Sequence, residues 1–405
     1  MRYIIGLLVV LLITACKNEV QISKLKTGTY RAEMQVKDAE RLPFIFEVKP
    51  DSTLHIYNAA EDIHVKDIAY KNDSVYITAP VFEGYIAAKI EGDELKGSFI
   101  NETLGRVVPF EAVYNDKLRF KPGTGAAYNI EGVWETVFSK GVVGDEYVAK
   151  GIFKQQNNGK VTGTFRTTTG DYRYLEGVLD GTRLKLSTFD GAHAFYFTAK
   201  VTDSTMEGTF YSGNHWKEPF VAKKNPEFEL PSANELTYLK EGYDSIAFEF
   251  PNTKDEMVSL SDERFKNKVV IVQIMGSWCP NCLDESRYFS EFYNNNKNKD
   301  LEFVALAFEY AKTKPEAFNR MERLKQDVGI EYPILLAQYG TSDKAKAQEK
   351  LPMLNHVLSY PTSIFIDKTG KVRKIHTGFN GPATGEKYIE FQEEFEGFVE
   401  TLLSE

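Results

Sequence analysis

The sequence is poor in several features that would indicate other functions. It has no run of basic residues and a net charge of −9, so a nucleic-acid partner is not expected. Its six histidines are scattered without paired spacing, at positions 55, 64, 193, 215, 356 and 376. Only three cysteines occur in 405 residues, and just two of them, Cys279 and Cys282, lie close together. Because a structural zinc site needs four ligands, we expect no metal site.

The chain also lacks an N-terminal apolar run long enough to span a membrane. Arg2 gives a positive start, and the apolar run that follows extends only from Ile4 to Ile13. A run of this length is typical of a secretion signal peptide. The stretch Ile13-Thr14-Ala15-Cys16 resembles a bacterial lipobox, which implies that Cys16 is diacylated and anchors the protein to the inner or outer membrane. A plain signal peptide and a buried N-terminal strand are the alternatives.

The cysteine pair follows a short apolar run, Val269–Met275, which is rich in β-branched residues and predicts one buried strand. Gly276-Ser277 interrupts this run, and apolar residues then recur at helical spacing. Both cysteines therefore lie at a predicted helix N-terminus, where unpaired N–H groups and the helix dipole favour a thiolate. We predict that Cys279 is the exposed nucleophile and that Cys282, inside the first turn, resolves the mixed disulfide. With Cys16 assigned to the lipid, no cysteine remains for a structural disulfide.

The motif Trp278-Cys279-Pro280-Asn281-Cys282 after a buried strand resembles the thioredoxin fold, and more closely the TlpA/ResA-like membrane-tethered thiol–disulfide oxidoreductases. The resemblance extends from Phe248 to Leu403 and also rests on Glu285 and on the stretch from Tyr360 to Asp367. It implies a redox-active disulfide and no other cofactor. It also implies protein thiol and disulfide clients, an inner-membrane thiol electron donor and a periplasmic location. The resemblance favours a reductant, although the Pro-Asn dipeptide alone does not set a reduction potential.

Glu285 is the predicted proton carrier of the site. It shares a helix face with both cysteines and with apolar residues that point to the core, so burial should raise its pKa. A carboxyl group of this kind can move a proton to or from a thiol near neutral pH. The resemblance implies that this glutamate tunes the cysteines, and a surface acid favoured by the helix dipole is the alternative. Glu309, at the end of the next predicted strand, also resembles a family position.

Pro361 completes the predicted catalytic residues. The resemblance implies a cis-proline here that faces the cysteines, and a trans proline at the start of a strand is the alternative. A cis bond would leave the backbone of Tyr360 open to pair with an extended client. The predicted substrate contacts are Trp278, Pro280, Asn281 and Tyr360.

The first half of the chain predicts β structure, because short alternating segments are separated by turn residues. The pattern repeats after a little over 100 residues: Gly28-Thr29-Tyr30 parallels Gly132-Val133-Trp134, and Gly97-Ser98-Phe99 parallels Gly208-Thr209-Phe210. Each copy has about eight candidate strands, which favours small closed meander barrels, with sandwiches as the alternative. The aromatic residues of the second copy are candidates for a ligand pocket, and an ordinary barrel core is the simpler interpretation.

The predicted fold class is therefore multidomain, with an all-β N-terminal region followed by an α/β thioredoxin-like domain. The predicted boundaries are 1–16 for the lipoprotein signal peptide, 17–26 for a tether, 27–120 and 128–223 for the β repeats, 224–245 for a linker and 246–405 for the redox domain. The predicted function is reduction of client disulfides outside the cytoplasm. A peroxiredoxin-like thiol peroxidase is one alternative, although the Pro-x-x-x-Thr-x-x-Cys pattern is missing before Cys279. A ligand-binding lipoprotein whose β domains carry the function is the other.

Overall fold

The computed structural model describes residues 23–121, 123–297 and 299–405 of the chain. The predicted signal peptide with Cys16 lies outside the described residues, as does most of the predicted tether. Within the described ranges, no helix combines the length and the apolar character needed to cross a bilayer. The fold class is as predicted, because two antiparallel sheets precede an α/β domain.

The first sheet has nine strands in the order β4-β3-β2-β1-β9-β8-β7-β6-β5. They are β1 (Gly28–Gln35), β2 (Arg41–Val48), β3 (Leu54–Asn58), β4 (Glu61–Val65), β5 (Ile68–Lys71), β6 (Ser74–Thr78), β7 (Tyr85–Glu91), β8 (Glu94–Asn101) and β9 (Arg106–Tyr114). Buried and less buried side chains alternate along β1, as the two-residue period of a half-buried strand requires. Among the described residues no ladder joins the short edge strands β4 and β5, so this barrel-like sheet keeps an open seam instead of the predicted closure.

The second sheet closes into a barrel, because β11 pairs with both β10 and β12. Its strands are β10 (Gly132–Phe138), β11 (Tyr147–Gln155), β12 (Lys160–Thr167), β13 (Gly170–Asp171), β14 (Leu175–Asp180), β15 (Arg183–Phe189), β16 (Ala194–Val201), β17 (Thr205–Ser212) and β18 (Trp216–Lys224). Trp134, Phe153 and Phe197 are fully buried in its interior, whereas Trp216 is exposed. The barrel is therefore filled with aromatic side chains, as the simpler interpretation of these residues expects.

The two sheets repeat one plan, as the sequence predicts. In each sheet the first strand pairs with the last, β1 with β9 and β10 with β18. The repeated glycines also occupy equivalent strands, Gly97 in β8 and Gly208 in β17. A Cβ atom at Gly97 would lie 1.9 Å from the carbonyl oxygen of Ala87, and one at Gly208 would lie 2.3 Å from that of Thr198. Both positions therefore require glycine because the neighbouring backbone comes so close.

The redox domain has a central five-stranded sheet in the order β23-β22-β21-β24-β25, with β24 antiparallel to β21. Its elements are β19 (Glu249–Pro251), β20 (Met257–Ser259), β21 (Val269–Met275), α1 (Pro280–Asn295), β22 (Leu301–Phe308), α2 (Lys314–Val328), β23 (Ile334–Gln338), α3 (Lys344–Lys350), β24 (Thr362–Ile366), β25 (Val372–Thr377) and α4 (Glu386–Ser404). Strands β21, β22 and β23 are parallel and buried along their whole length, as strands covered on both faces are.

The segment between the second barrel and the redox domain, residues 225–245, is fastened along the redox domain. The hydroxyl of Thr377 donates to that of Thr237 at 2.8 Å. The N–H of Lys240 donates to the carbonyl oxygen of Met353 at 2.8 Å, and Leu239 forms an isolated bridge with Leu354. We call residues 225–245 the connecting segment. The prolines and polar residues of this segment predict a linker, because its contacts are with distant parts of the chain and leave no local pattern.

Candidate active site

Cys279 is the N-cap of α1 and Cys282 lies in its first turn, as the sequence predicts. The N–H of Cys282 donates to Sγ of Cys279 at 3.3 Å, so one of the unpaired donors of the helix N-terminus points at the sulfur. Pro280 occupies the first helical position, where its missing N–H leaves no donor unpaired. Cys279 is only 8% exposed, in contrast to the exposed nucleophile that the sequence predicts.

Glu285 is fully buried on the core side of α1, as its helical spacing predicts. Its two carboxyl oxygens accept hydrogen bonds from Gln273 at 2.9 Å and from Ser363 at 2.8 Å. Burial raises the pKa of Glu285 to about 8, although both hydrogen bonds oppose the rise. Burial also raises the pKa of the Cys282 thiol, to which the interaction with Cys279 and the charge of Glu285 contribute. A buried acid and a buried thiol thus lie one helical turn apart, and each favours the protonated form of the other.

A second buried acid, Glu309, supports the turn before the cysteines. The backbone N–H of Ser277 donates to one of its oxygens at 2.7 Å, and the Ser277 hydroxyl donates to the other at 2.8 Å. Burial raises the pKa of Glu309 to about 7, against these two hydrogen bonds and the charge of Arg320. The indole N–H of Trp278 donates to the carbonyl oxygen of Phe308 at 3.0 Å, which holds this side chain beside the turn.

The Tyr360–Pro361 peptide bond is cis, as predicted. The Cys279 thiol donates to the carbonyl oxygen of Tyr360 at 3.5 Å, so the segment before the proline faces the sulfur. The Tyr360 ring is buried and meets that of Trp278 edge to face, with 5.7 Å between ring centroids. The structure thus brings the two cysteines and the proline segment together at one site.

The second barrel reaches this site through the turn between β12 and β14, residues 168–174, which we call the 168–174 loop. The side-chain amide of Asn281 donates to the carbonyl oxygen of Asp171 at 3.1 Å. The hydroxyl of Ser359 donates to the carbonyl oxygen of Thr169 at 2.7 Å, and the N–H of Gly381 donates to the Asp171 carboxylate at 2.7 Å. Asn281, a predicted substrate contact, is therefore bound by the protein's own barrel.

Arg173, in the same loop, joins both β sheets to the redox helix. Its guanidinium donates to the carbonyl oxygen of Pro280 at 3.1 Å and forms ion pairs with Asp284 of α1 and Glu61 of β4. Its Nε lies 3.2 Å from a carboxylate oxygen of Asp190. Burial disfavours the charge, but the surrounding acids hold the pKa of Arg173 above its usual value. Sequence reasoning misses this residue because its partners are scattered along the chain and leave no periodic signal.

The C-terminal domain resembles known proteins in sequence. Residues 224–389, less than half of the chain, match the family model described as Redoxin, and this match includes the connecting segment. The thiol-disulfide oxidoreductase ResA of Bacillus subtilis is 27% identical over 140 residues, which cover 35% of this chain and 69% of the relative. ResA of Geobacillus kaustophilus is 28% identical over 156 residues, which cover 38% of this chain and 80% of the relative.

Solved structures of similar description also match. A thiol-disulfide oxidoreductase from Bacteroides fragilis is 20% identical, with a TM-score of 0.28 and coverage of 37% of this chain and 99% of that chain. The thioredoxin domain of a thiol-disulfide oxidoreductase from Bacteroides vulgatus is also 20% identical, with a TM-score of 0.28 and coverage of 38% and 99%.

Proposed function

We propose that this chain, whose C-terminal domain is a TlpA/ResA-like thiol–disulfide oxidoreductase domain, reduces client disulfides through Cys279 and Cys282 on the outer side of a bacterial membrane. The observation that carries the proposal is the position of the two sulfurs. Cys279 caps α1, accepts the N–H of Cys282 and faces the backbone of Tyr360. A dithiol at a helix N-terminus beside an open backbone segment suits exchange with an extended client.

The exchange has two steps. The Cys279 thiolate attacks one sulfur of the client disulfide, the client S–S bond breaks, and the other client sulfur leaves as a thiolate. Cys282 then loses its proton and attacks Sγ of Cys279, which forms the Cys279–Cys282 disulfide and releases the second client thiol. The client gains two electrons and the pair loses two, so a thiol donor must reduce the pair before the next turnover.

Glu285 accepts the proton of Cys282 in this scheme. The thiol is buried and its pKa is raised, so attack on the mixed disulfide requires a nearby base. A carboxyl group with a pKa of about 8 is ionised in part near neutral pH and is basic enough to take this proton. Gln273 and Ser363 hold both carboxyl oxygens, which fixes the base relative to the first turn of α1.

The location is proposed from the N-terminal sequence. A diacylated Cys16 would anchor the protein to the inner or outer membrane, with the redox site in the periplasm and an inner-membrane thiol donor as its electron source. Growth with a labelled fatty acid tests the anchor: label should enter the wild-type protein and be lost from Cys16→Ser. Label in both proteins, or in neither, would remove the lipid from the proposal.

The direction of transfer is tested by the reduction potential of the pair, measured by equilibration with a thiol buffer. A value near or below about −250 mV, in the range of thioredoxin, supports a reductase. A value near about −120 mV would make the protein an oxidant and would refute the reductase claim. Turnover of peroxide by the same protein, with no exchange on a protein disulfide, would favour the peroxidase alternative.

A further inference from the structure

We infer that the 168–174 loop of the second barrel is a specificity element of the redox site. This inference rests on the proposed function and concerns which disulfides reach Cys279. The loop lies over the parts of the redox domain that a client must contact, namely the Pro280-Asn281 dipeptide and the segment before Pro361.

The loop occupies hydrogen-bonding positions that a client backbone would otherwise use. The Thr169 carbonyl oxygen accepts from Ser359, and the Asp171 carbonyl oxygen accepts from Asn281. A client strand that pairs beside Tyr360 would offer backbone carbonyls in the same way. The barrel loop therefore already accepts the hydrogen bonds of Asn281 and Ser359, which a bound client would otherwise accept.

Gly170 allows this close approach. It has a φ of +146°, and a Cβ atom built there would lie 2.1 Å from the amide nitrogen of Asn281. A side chain at this position would thus force the loop and the motif apart. Two further residues hold the loop in place. Arg173 binds the carbonyl oxygen of Pro280 and the carboxylate of Asp284. The Asp171 carboxylate accepts a hydrogen bond from the N–H of Gly381.

The consequence is selection by size. Cys279 is only 8% exposed, and the loop binds Asn281 and Ser359, which lie beside it in the helix turn and in the segment before Pro361. A low-molecular-weight disulfide or a flexible peptide segment fits this access better than the surface of a folded protein. We therefore assign small or extended disulfides as the preferred substrate class.

Alkylation of Cys279 tests the loop without requiring any exchange reaction. The full chain carries Cys16→Ser and Cys282→Ser, so that Cys279 is the single thiol, and is treated with iodoacetamide or with a polymer-linked maleimide. Gly170→Ala should raise the rate with the bulky reagent by about tenfold, the effect of removing roughly 1.4 kcal/mol of closure free energy. The rate with iodoacetamide should change little.

Gly144→Ala is the matched control, because Gly144 also has a positive φ of 90° but meets no atom within 4 Å. It should behave as the parent does. Ser359→Ala removes only the contact with Thr169. It should raise the alkylation rate with the bulky reagent, as Gly170→Ala does. Equal ratios of bulky to small reagent rates in all four proteins would overturn the inference. A normal alkylation pattern in a protein that exchanges no disulfide would instead refute the proposed function.

A second, independent observation lies on the first sheet, at the hairpin of β3 and β4. We propose that His55, Asp62 and His64 bind a zinc ion. The histidines are nine positions apart, so the sequence shows no ligand spacing and predicts no metal site. The strand register nevertheless places His55 directly opposite His64.

One ligand atom from each of the three side chains lies within 4.8 Å of the other two. Nδ1 of His55 lies 2.8 Å from one oxygen of Asp62, and Nε2 of His64 lies 3.4 Å from the other. The centroids of the two rings are 4.0 Å apart. A tetrahedral zinc ion with bonds of about 2.1 Å keeps its ligand atoms roughly 3.4 Å apart. The separation of His64 and Asp62 fits this value, whereas His55 and Asp62, which are at hydrogen-bond distance, would move apart slightly to admit the ion. The exposed sides of Asp62 and His64 leave a position for water.

The hairpin is rigid where it turns, because the second barrel holds it. The Asn58 amide donates to the carbonyl oxygen of Phe189 at 2.8 Å, and the N–H of Ala59 donates to the Glu176 carboxylate at 2.9 Å. The ligands are thus preorganised, which lowers the entropy cost of binding.

Calorimetric titration with zinc chloride tests the site. The full chain carries Cys16→Ser, Cys279→Ser and Cys282→Ser, because thiolates would bind zinc themselves. One zinc ion per chain is expected, and His64→Asn or Asp62→Asn should weaken binding by at least about tenfold. His356→Asn, which replaces an exposed histidine of the redox domain, is the matched control and should bind as the parent does. No binding by the parent, or equal binding by all variants, would overturn the proposal.

Discussion

The guanidinium of Arg173 donates a hydrogen bond to the carbonyl oxygen of Pro280 at 3.1 Å. The bond joins a barrel turn to the first residue of the redox helix, across 107 positions of sequence. Because the same side chain also meets Glu61, Asp190 and Asp284, one buried cation holds three parts of the molecule together.

Replacement of this cation should destabilise the protein strongly. Arg173→Met removes the shared cation of Asp190, which is buried, and of Glu61 and Asp284, whose side chains are largely buried. Leaving a buried charge without its partner costs about 3–5 kcal/mol. Urea unfolding measures the loss. Arg183→Met, which replaces an exposed arginine of β15, should change the free energy of unfolding by less than about 0.5 kcal/mol. Equal losses in both variants would contradict the role of the ion cluster.

Glu285 should make stability depend on pH. Its pKa is about 8 in the folded protein and 4.5 for the ordinary group. Between these values the folded state keeps the proton that the unfolded state loses, so the free energy of unfolding falls as pH rises. The slope is at most about 1.4 kcal/mol per pH unit.

Glu285→Gln lacks this slope, so its stability relative to the parent should rise from pH 5 to pH 8 and level off above. Urea unfolding of both proteins in a Cys279→Ser, Cys282→Ser background, where neither thiol of the pair is present, gives the comparison. Parallel pH profiles would show that the carboxyl group ionises as readily in the folded chain as in the unfolded one.

The same substitution should slow the second step of exchange. Without the base, release of the client from the mixed disulfide should fall on the order of a hundredfold near pH 8, the usual contribution of a general base. The rate rise through about pH 8 should also disappear. Stopped-flow measurement of client release checks both. Glu291→Gln, an exposed acid on α1, is the control and should keep the parental profile.

Replacement of each cysteine should have a different effect on the formation of mixed disulfides with clients. Cys282→Ser forms the mixed disulfide through Cys279 but cannot resolve it, so clients should accumulate as covalent adducts. Cys279→Ser should form no adduct, because the remaining thiol is fully buried. Mass spectrometry after incubation with a disulfide-containing peptide distinguishes them. Adducts on Cys282 alone would reverse the two assigned roles.

The repeated glycines should be intolerant of a methyl group. Gly208→Ala places a Cβ 2.3 Å from a backbone oxygen, and overpacking of this kind costs about 1–3 kcal/mol. Gly397→Ala, in α4, meets no atom within 4 Å and should be neutral or stabilising by up to about 1 kcal/mol. Thermal unfolding of the two variants gives the contrast, and a neutral Gly208→Ala would contradict the packing argument.

Local patterns in the sequence predict much of this structure. The predicted number of about eight strands in the second copy matches its longer strands, because alternating side chains and turn residues act over short distances. The cap at Cys279 and the burial of Glu285 also follow from neighbouring residues, whereas the cis bond before Pro361 is predicted only by the family resemblance. The two-residue strand β13 is missed, since it is too short to show alternation.

Contacts between distant segments cannot be predicted in this way. The contacts of the 168–174 loop with Asn281 and Ser359, the Arg173 cluster and the pairing of His55 with His64 depend on how barrels and strands meet. None of them repeats with a helical or strand period, so composition and spacing carry no trace of them. Closure of the first sheet is predicted from its number of strands, but no ladder joins β4 and β5 in the described residues, since the strand count does not reveal whether the edge strands meet.

The connecting segment has a consequence for how the protein meets its partners. Because residues 225–245 lie along the redox domain, the chain offers no free length over which the barrels and the redox site swing apart. In the proposed cycle a client and a thiol donor both react at Cys279, so with the barrels held in place they would compete for the same face of the domain. Turnover should therefore alternate strictly between the two partners, and excess donor should inhibit the reaction by occupying the face that the client needs.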